Sequence, residues 1–294
     1  MSYEQYSPTG FRVLPPVVKN LLIINGLFFL AMIVFDSIGS IDLSDMLGLH
    51  YFASQKFHVY QFVTYMFMHG NLTHIFFNMF ALWMFGSALE NFWGPKRFLV
   101  YYFVTGIGAA LIHYLVFYFQ VDPVLTAMNV FISHPDFQSL NAFITSHKFI
   151  ISDNSGEIWT QFQKFQSDYA VLTQDHQNVQ ALQGCVNFVS EYREHFLNMP
   201  VVVGASGAIY GLLLAFGMMF PNSMIYIYFL FPMKAKWFVV FYGALELFSA
   251  IWRPGDNVAH FAHLGGMIFG IVLILLWRRT DRKKRNQYWD STGY

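Results

Sequence analysis

The chain has 294 residues, 55% hydrophobic, 20% aromatic and only 12% charged, with 17 Lys and Arg against 17 Asp and Glu. That composition is too apolar for a soluble domain of this length, and a formal net charge of zero gives no electrostatic ground for nucleic-acid binding. The single cysteine, Cys185, excludes an internal disulfide framework and a cysteine-based metal site.

The first sixteen residues are polar, with no basic start and no small-residue cleavage site, so a removable signal peptide is not expected. One membrane crossing takes about 20 apolar residues, and six windows qualify, at 18–37, 71–90, 97–119, 200–220, 236–253 and 258–277. The fifth is the weakest, because the apolar run "MIYIYFLFPMKAKW" ahead of it is broken by Pro232 and Lys234. The expected fold is an all-α polytopic membrane protein with six transmembrane helices.

Basic residues set the expected orientation. With the N-terminus inside, the inner segments hold Arg12, Lys19, Lys96, Arg97, Lys234, Lys236 and the six of "RRTDRKKR", while Asp36, Asp42, Asp45 and eight acids between 122 and 194 fall outside. Both termini are therefore expected to be cytoplasmic, in a multi-pass protein of the plasma (inner) membrane. The basic tail, 281–294, also suits anionic lipid.

Between the third and fourth crossings the chain changes character. Residues 121–199 are polar, yet "EIWTQFQKFQSDYAVL" and "VQALQGCVNFVSEYREHF" space their apolar residues as helices do. The expected organisation is thus 1–120 with three crossings, a helical external insertion over 121–199, 200–280 with three more crossings, and the tail.

The fourth window, "VVVGASGAIYGLLLAFG", carries one hydroxyl, Ser206, between Gly204 and Gly207. Small residues let membrane helices pack closely, and Gly207 with Gly211 makes a small-xxx-small pair. Chemistry is the other reading. A helix entered near Pro200 puts Ser206 about 9 Å deep by helical rise, in first turns where unpaired N–H groups and the dipole favour a developing oxyanion. A serine nucleophile needs a base. In "GDNVAHFAHLGGMIFG" His263 lies about 10 Å deep, whereas His260 is shallower and fits a solvated mouth residue. Gly266 and Gly270 would let this helix press on the small-residue face of the fourth. In "HGNLTHIFFNMF", His74 and Asn78 share a face at i and i+4, at a depth of about 5 to 10 Å, and both can donate hydrogen bonds. Polar side chains in a span usually face a partner or a wet cavity.

"HGNLTHIFFNMFALWMFGSALE", "GASGAIYG" and "AHLGGMIFG" together resemble the rhomboid family of intramembrane serine proteases, over roughly 18–119 and 200–279. The resemblance implies Ser206 as nucleophile and His263 as general base and acid, a dyad without a carboxylate. It implies an oxyanion hole of His74, Asn78 and the Ser206 backbone N–H, and Tyr210 packed on the catalytic imidazole. Gly204, Gly207, Gly266 and Gly270 support the site. The implied substrates are membrane proteins whose helix unwinds before attack, and the active site opens outward; no cofactor, metal or nucleic acid is called for.

Two departures stand out. The first outer loop, 38–70, lacks the Trp-Arg dipeptide many members carry, and the 121–199 insertion has no counterpart in minimal six-helix members. The insertion could gate substrates, bind a partner or be a tolerated elaboration. Asp256 as a third triad member is disfavoured by its place about 10 Å above His263. The soluble G-x-S-x-G elbow fails at Ala208, and His260 with His263 lacks the His-Glu-x-x-His zinc pattern. A catalytically inactive escort factor is the alternative function. A channel finds little support, since Glu246 alone is a candidate mid-span charge and no inverted repeat is visible.

Overall fold

The computed structural model describes residues 10–39, 41–152, 156–199, 201–227, 230–252 and 257–292. Pro200 and Asp256, used above as helix entry points, lie outside these residues, as do the first nine residues behind the signal-peptide expectation.

The described residues are mostly helical, as an apolar backbone in lipid must be unless it closes a barrel. In chain order the helices are α1 Pro16–Ile38, α2 Leu43–Leu47, α3 Gln61–Thr64, α4 Leu72–Trp93 with a π-helical turn over Leu82–Gly86, α5 Pro95–Ser133, α6 Phe137–Ser146, α7 Glu157–Gln174, α8 Val179–Asn198, α9 Ser206–Met219, α10 Ala235–Trp252 and α11 Asn257–Thr292. The strands Met224–Ile227 and Phe231–Lys234 form an antiparallel hairpin before α10. That hairpin occupies the apolar run that Pro232 interrupts, so the fifth crossing starts only at Ala235.

Among the described residues, α1, α4, α5, α10 and the Ala259–Arg282 part of α11 are long and apolar enough to cross a membrane. The fourth expected crossing differs. α9 has 14 residues, about 21 Å at 1.5 Å per residue, because residues 201–205 ahead of Ser206 do not join the helix. Ser206 is therefore the first residue of its helix rather than the seventh of a longer one. The sequence reading erred because apolar composition marks a span without distinguishing helix from the extended segment that leads into it.

Two compact units divide the chain: residues 1–49, 59–113 and 202–294, and residues 50–58 and 114–201. In the first, α9 is the central helix, with Gly207, Ala208, Ile209, Gly211, Leu212, Leu213, Leu214, Ala215 and Gly217 buried. α1 and α10 instead expose apolar side chains such as Leu27, Leu30, Val240 and Phe248, the composition of surfaces that face lipid rather than water. Glu90 near the end of α4 accepts from the backbone N–H groups of Val17 and Val18 at 3.0 and 2.8 Å. It thereby answers two of the orphan donors at the start of α1.

The second unit is a helical cluster of its own. α6, α7, α8 and the distal part of α5 enclose Met128, Phe131, Leu140, Phe143, Phe165, Leu172, Phe188 and Tyr192. Asp136 and Asn178 cap α6 and α8 by accepting from Ser139 and Ala181 N–H groups. Cys185 is fully buried in this core, and burial pushes its thiol up to about 12. It is a packing residue, inert as a nucleophile at neutral pH.

Candidate active site

Three side-chain-bearing segments meet at the start of α9. The turn that delivers Ser206 depends on Gly204, whose φ of 120° is a backbone conformation reserved for glycine. A Cβ at Gly204 would also stand 2.7 Å from the His74 ring. The Gly204 N–H donates to the Tyr65 carbonyl at 2.9 Å, and Tyr65 in turn donates its hydroxyl to the Gly106 carbonyl at 2.7 Å. The chain ahead of the serine is thus tied, through Tyr65, to α5 before the helix begins.

α9 and α11 approach at backbone distance. A side chain on Gly266 would collide with the Gly207 carbonyl oxygen, and one on Gly207 with the Ala109 methyl of α5. Of the two glycines expected on the α9 face of α11, Gly266 sits there; Gly270 instead faces the Tyr101 hydroxyl of α5. Likewise Gly211 packs on Thr105 of α5, so the small-residue pair on α9 serves two neighbours. The close α9–α11 contact brings His263 Nε2 to 2.9 Å from Ser206 Oγ, within reach for proton transfer. Tyr210, one turn after Ser206, stacks on the His263 ring at 4.2 Å between centroids and 10° between planes.

His74 and Asn78 both lie beside the Gly204 turn, with a Cβ there falling 2.7 Å from His74 Nε2 and 3.8 Å from Asn78 Nδ2. Asn71 caps their helix by accepting from the His74 N–H at 2.8 Å. Asn78 is buried, and its Nδ2 has no hydrogen-bond partner among the described residues. A buried amide donor left open is costly unless something fills it. At this position it is an available donor beside the Gly204 turn that leads into Ser206.

One member of the cluster was missed as a site residue. Glu246, buried on α10, accepts from His263 Nδ1 at 3.1 Å, from His260 Nδ1 at 2.7 Å and from the Tyr210 hydroxyl. The sequence signal was present in the single acid inside an otherwise apolar span, and such residues are functional candidates by default. Two expectations change with it. His260 is half-buried and engaged with Glu246 rather than solvated at a mouth. The imidazole of His263 also has a carboxylate beside it, where a dyad without one was expected. Glu246, His260 and His263 offer ligand atoms within 4.8 Å of one another, a set able to hold a metal ion, but hydrogen bonds within the cluster already occupy all three.

Comparison with known proteins gives a family-model match described as Rhomboid domain over residues 56–124 and 179–280, more than half of the chain. Rhomboid-like protein 11, chloroplastic, of Arabidopsis thaliana is 42% identical over 57 residues, 19% of this chain and 20% of that protein. An uncharacterized mitochondrial rhomboid protein of Schizosaccharomyces pombe is 32% identical over 89 residues, 30% of this chain and 23% of its own length. Rhomboid protease AarA of Providencia stuartii is 37% identical over 57 residues, 19% of this chain and 20% of that protein. The aligned stretches span about a fifth of the relatives' lengths.

Proposed function

Since the chain belongs to the rhomboid family and is an integral multi-pass membrane protein, we propose that it is an intramembrane serine endopeptidase with Ser206 as nucleophile and His263 as general base and acid. The observation that carries this reading is the 2.9 Å contact of His263 Nε2 with Ser206 Oγ at the start of a buried helix. One relative is named a protease, AarA, which fits the same reading.

The chemistry follows from the geometry. Ser206 Oγ attacks the scissile carbonyl carbon as its proton passes to His263 Nε2. The carbonyl oxygen becomes an oxyanion, answered by Asn78 Nδ2, His74 and the Ser206 N–H, donors set where charge develops. Collapse breaks the C–N bond, and His263 returns the proton to the leaving amine. Water then repeats the sequence on the acyl-enzyme and restores Ser206. Tyr210 restricts the imidazole to one plane throughout.

The substrates of this reading are membrane proteins whose transmembrane helix unwinds near its end, because a scissile bond inside an intact helix has its carbonyl engaged and its backbone sheathed. We place the site toward the outer face of the plasma membrane, with both termini cytoplasmic, on the distribution of Lys and Arg. The test is incubation of purified protein with a panel of single-pass segments containing Gly or Pro, with mass mapping of the products. Cleavage by wild type and none by Ser206→Ala is expected. Equal cleavage by the two proteins removes Ser206 from the chemistry.

A further inference from the structure

We propose that Glu246 is a positioning residue for His263, so that the site operates as a Ser206–His263–Glu246 array. The assignment rests on the protease reading above. It differs from the two-residue arrangement implied by family resemblance, and it recruits α10, a helix that carries none of the expected site residues.

The first argument is the proton inventory of His263. To take the serine proton, Nε2 must be the unprotonated nitrogen, which leaves the single ring proton on Nδ1. Glu246 Oε2 lies 3.1 Å from that Nδ1 and is acceptor-only as a carboxylate. It therefore favours the one neutral tautomer that can act as base. When Nε2 gains the serine proton, the ring carries a positive charge next to the carboxylate, and both Nδ1–H and Nε2–H keep a partner. No proton needs to move to Glu246.

The second argument is how Glu246 is itself held. Its other oxygen accepts from the hydroxyl of Tyr210, the residue stacked on the His263 ring, and Oε2 also accepts from His260 Nδ1 at 2.7 Å. Among the described residues this buried acid pairs with Tyr210, His260 and His263, and its ion-pair partners are the two imidazoles rather than a Lys or Arg. Placing an acid in an apolar span is expensive, and here two of its three hydrogen bonds go to the His263 ring or to the tyrosine stacked on it, while the third, from His260, holds the carboxylate in place. Tyr210 fixes the ring's face and Glu246 its edge, so rotation about the His263 side-chain bonds is restrained in two directions.

The experiment compares wild type, Glu246→Gln and Glu246→Asp as full-length protein in detergent. Readouts are the rate of phosphonate labelling of Ser206, kcat and KM on one cleaved segment, the melting temperature, and the low-field proton resonance of His263 Nδ1–H. Wild type should show that resonance. The Gln variant should lose it and lower kcat by at least about tenfold, as loss of an orienting carboxylate does, with KM and melting temperature retained. The Asp variant should recover part of kcat, because the charge returns on a shorter arm. A Gln variant with undiminished kcat overturns the assignment, as does a wild type without the low-field resonance should the Gln protein fail to fold. Activity that requires an added divalent cation and is abolished by chelator also overturns it, by assigning Glu246, His260 and His263 to a metal. A wild type inert to the phosphonate overturns the protease reading itself, a result distinguishable from labelled wild type with an unaffected Gln variant.

Discussion

At the residue scale, donors and acceptors around Ser206 divide by when they act. His263 is engaged with Ser206, whereas Asn78 Nδ2 has no partner among the described residues and, on the proposed mechanism, would gain one when the oxyanion forms. Interactions made solely in the transition state appear in kcat rather than in KM. Asn78→Ala is therefore expected to lower kcat by about 100- to 1,000-fold, the range for one lost oxyanion donor, with KM unchanged. Steady-state kinetics on a cleaved segment checks this, and a change confined to KM would return Asn78 to substrate packing. His260 touches Glu246 and not the serine. His260→Ala should accordingly cost less than Glu246→Gln, and His263→Ala should remove phosphonate labelling altogether; the labelling rates of the three variants order these roles.

At the element scale, what matters is how closely α9, α5 and α11 approach. A Cβ at Gly266 meets backbone, the Gly207 carbonyl, which cannot move aside as a flexible side chain would. Gly266→Ala is expected to separate α9 from α11, destabilise by at least the ~1–3 kcal/mol typical of overpacking and weaken labelling by lengthening the Ser206–His263 contact. Gly270→Ala meets the Tyr101 hydroxyl instead, so it should lower the melting temperature while sparing labelling more. Thermal melts paired with labelling of both variants separate the two effects. These contacts also show what was legible in the sequence. Ser206, His263, His74 and Asn78 could be singled out because small residues and misplaced polar ones are conspicuous in apolar runs, and the structure brings Ser206 to His263 and both His74 and Asn78 to Gly204. The partner choice of Gly270 was not, since a glycine's spacing states which face is bare and not which helix comes to it. Glu246 was seen as an anomaly but could not be joined to His263, because two residues 17 apart on different helices meet only through packing. The start of α9 was misjudged for a related reason: Gly204 ends the extended segment by its φ of 120°, a conformation that composition does not report.

At the scale of the whole molecule, the proposed site and the insertion fall in separate compact units. Ser206, His263, His74, Asn78, Tyr210 and Glu246 all fall in the first, and α6, α7 and α8 in the second. Replacing residues 124–196 by a flexible linker should preserve phosphonate labelling of Ser206, while a changed pattern of cleaved segments would give the insertion a role in substrate choice. The second unit should also respond to acid. Burial holds the His147 imidazole below its ordinary value of 6.5, and its Nε2 meets the Tyr192 hydroxyl at 2.8 Å, where that hydroxyl also accepts from the Ile150 N–H. A histidine depressed on folding binds fewer protons folded than unfolded, so its contribution is present above pH of about 6.5 and is lost as pH falls toward the folded value. Amide protection factors in α6 and α8, corrected for intrinsic exchange, are expected to fall between pH 7 and pH 5, and less so in His147→Gln. An identical acid response in the variant would move the effect to other groups.

The shortness of α9 has a consequence for solvent. A helix of about 21 Å falls short of a hydrocarbon layer of about 30 Å, and α9 is sheathed by protein rather than lipid along most of its length. The missing length is occupied at the serine end by residues 201–205, which precede the helix and whose Gly204 N–H is answered by the Tyr65 carbonyl. Irregular backbone at that depth is tolerated only where it is enclosed by protein or lines a wet recess. On the proposed chemistry, the hydrolytic water must then reach Ser206 past the protein groups that enclose this stretch rather than through lipid. The deacylation rate should therefore follow substitutions in residues 201–205 and stay nearly constant as the acyl-chain length of the surrounding lipid is varied.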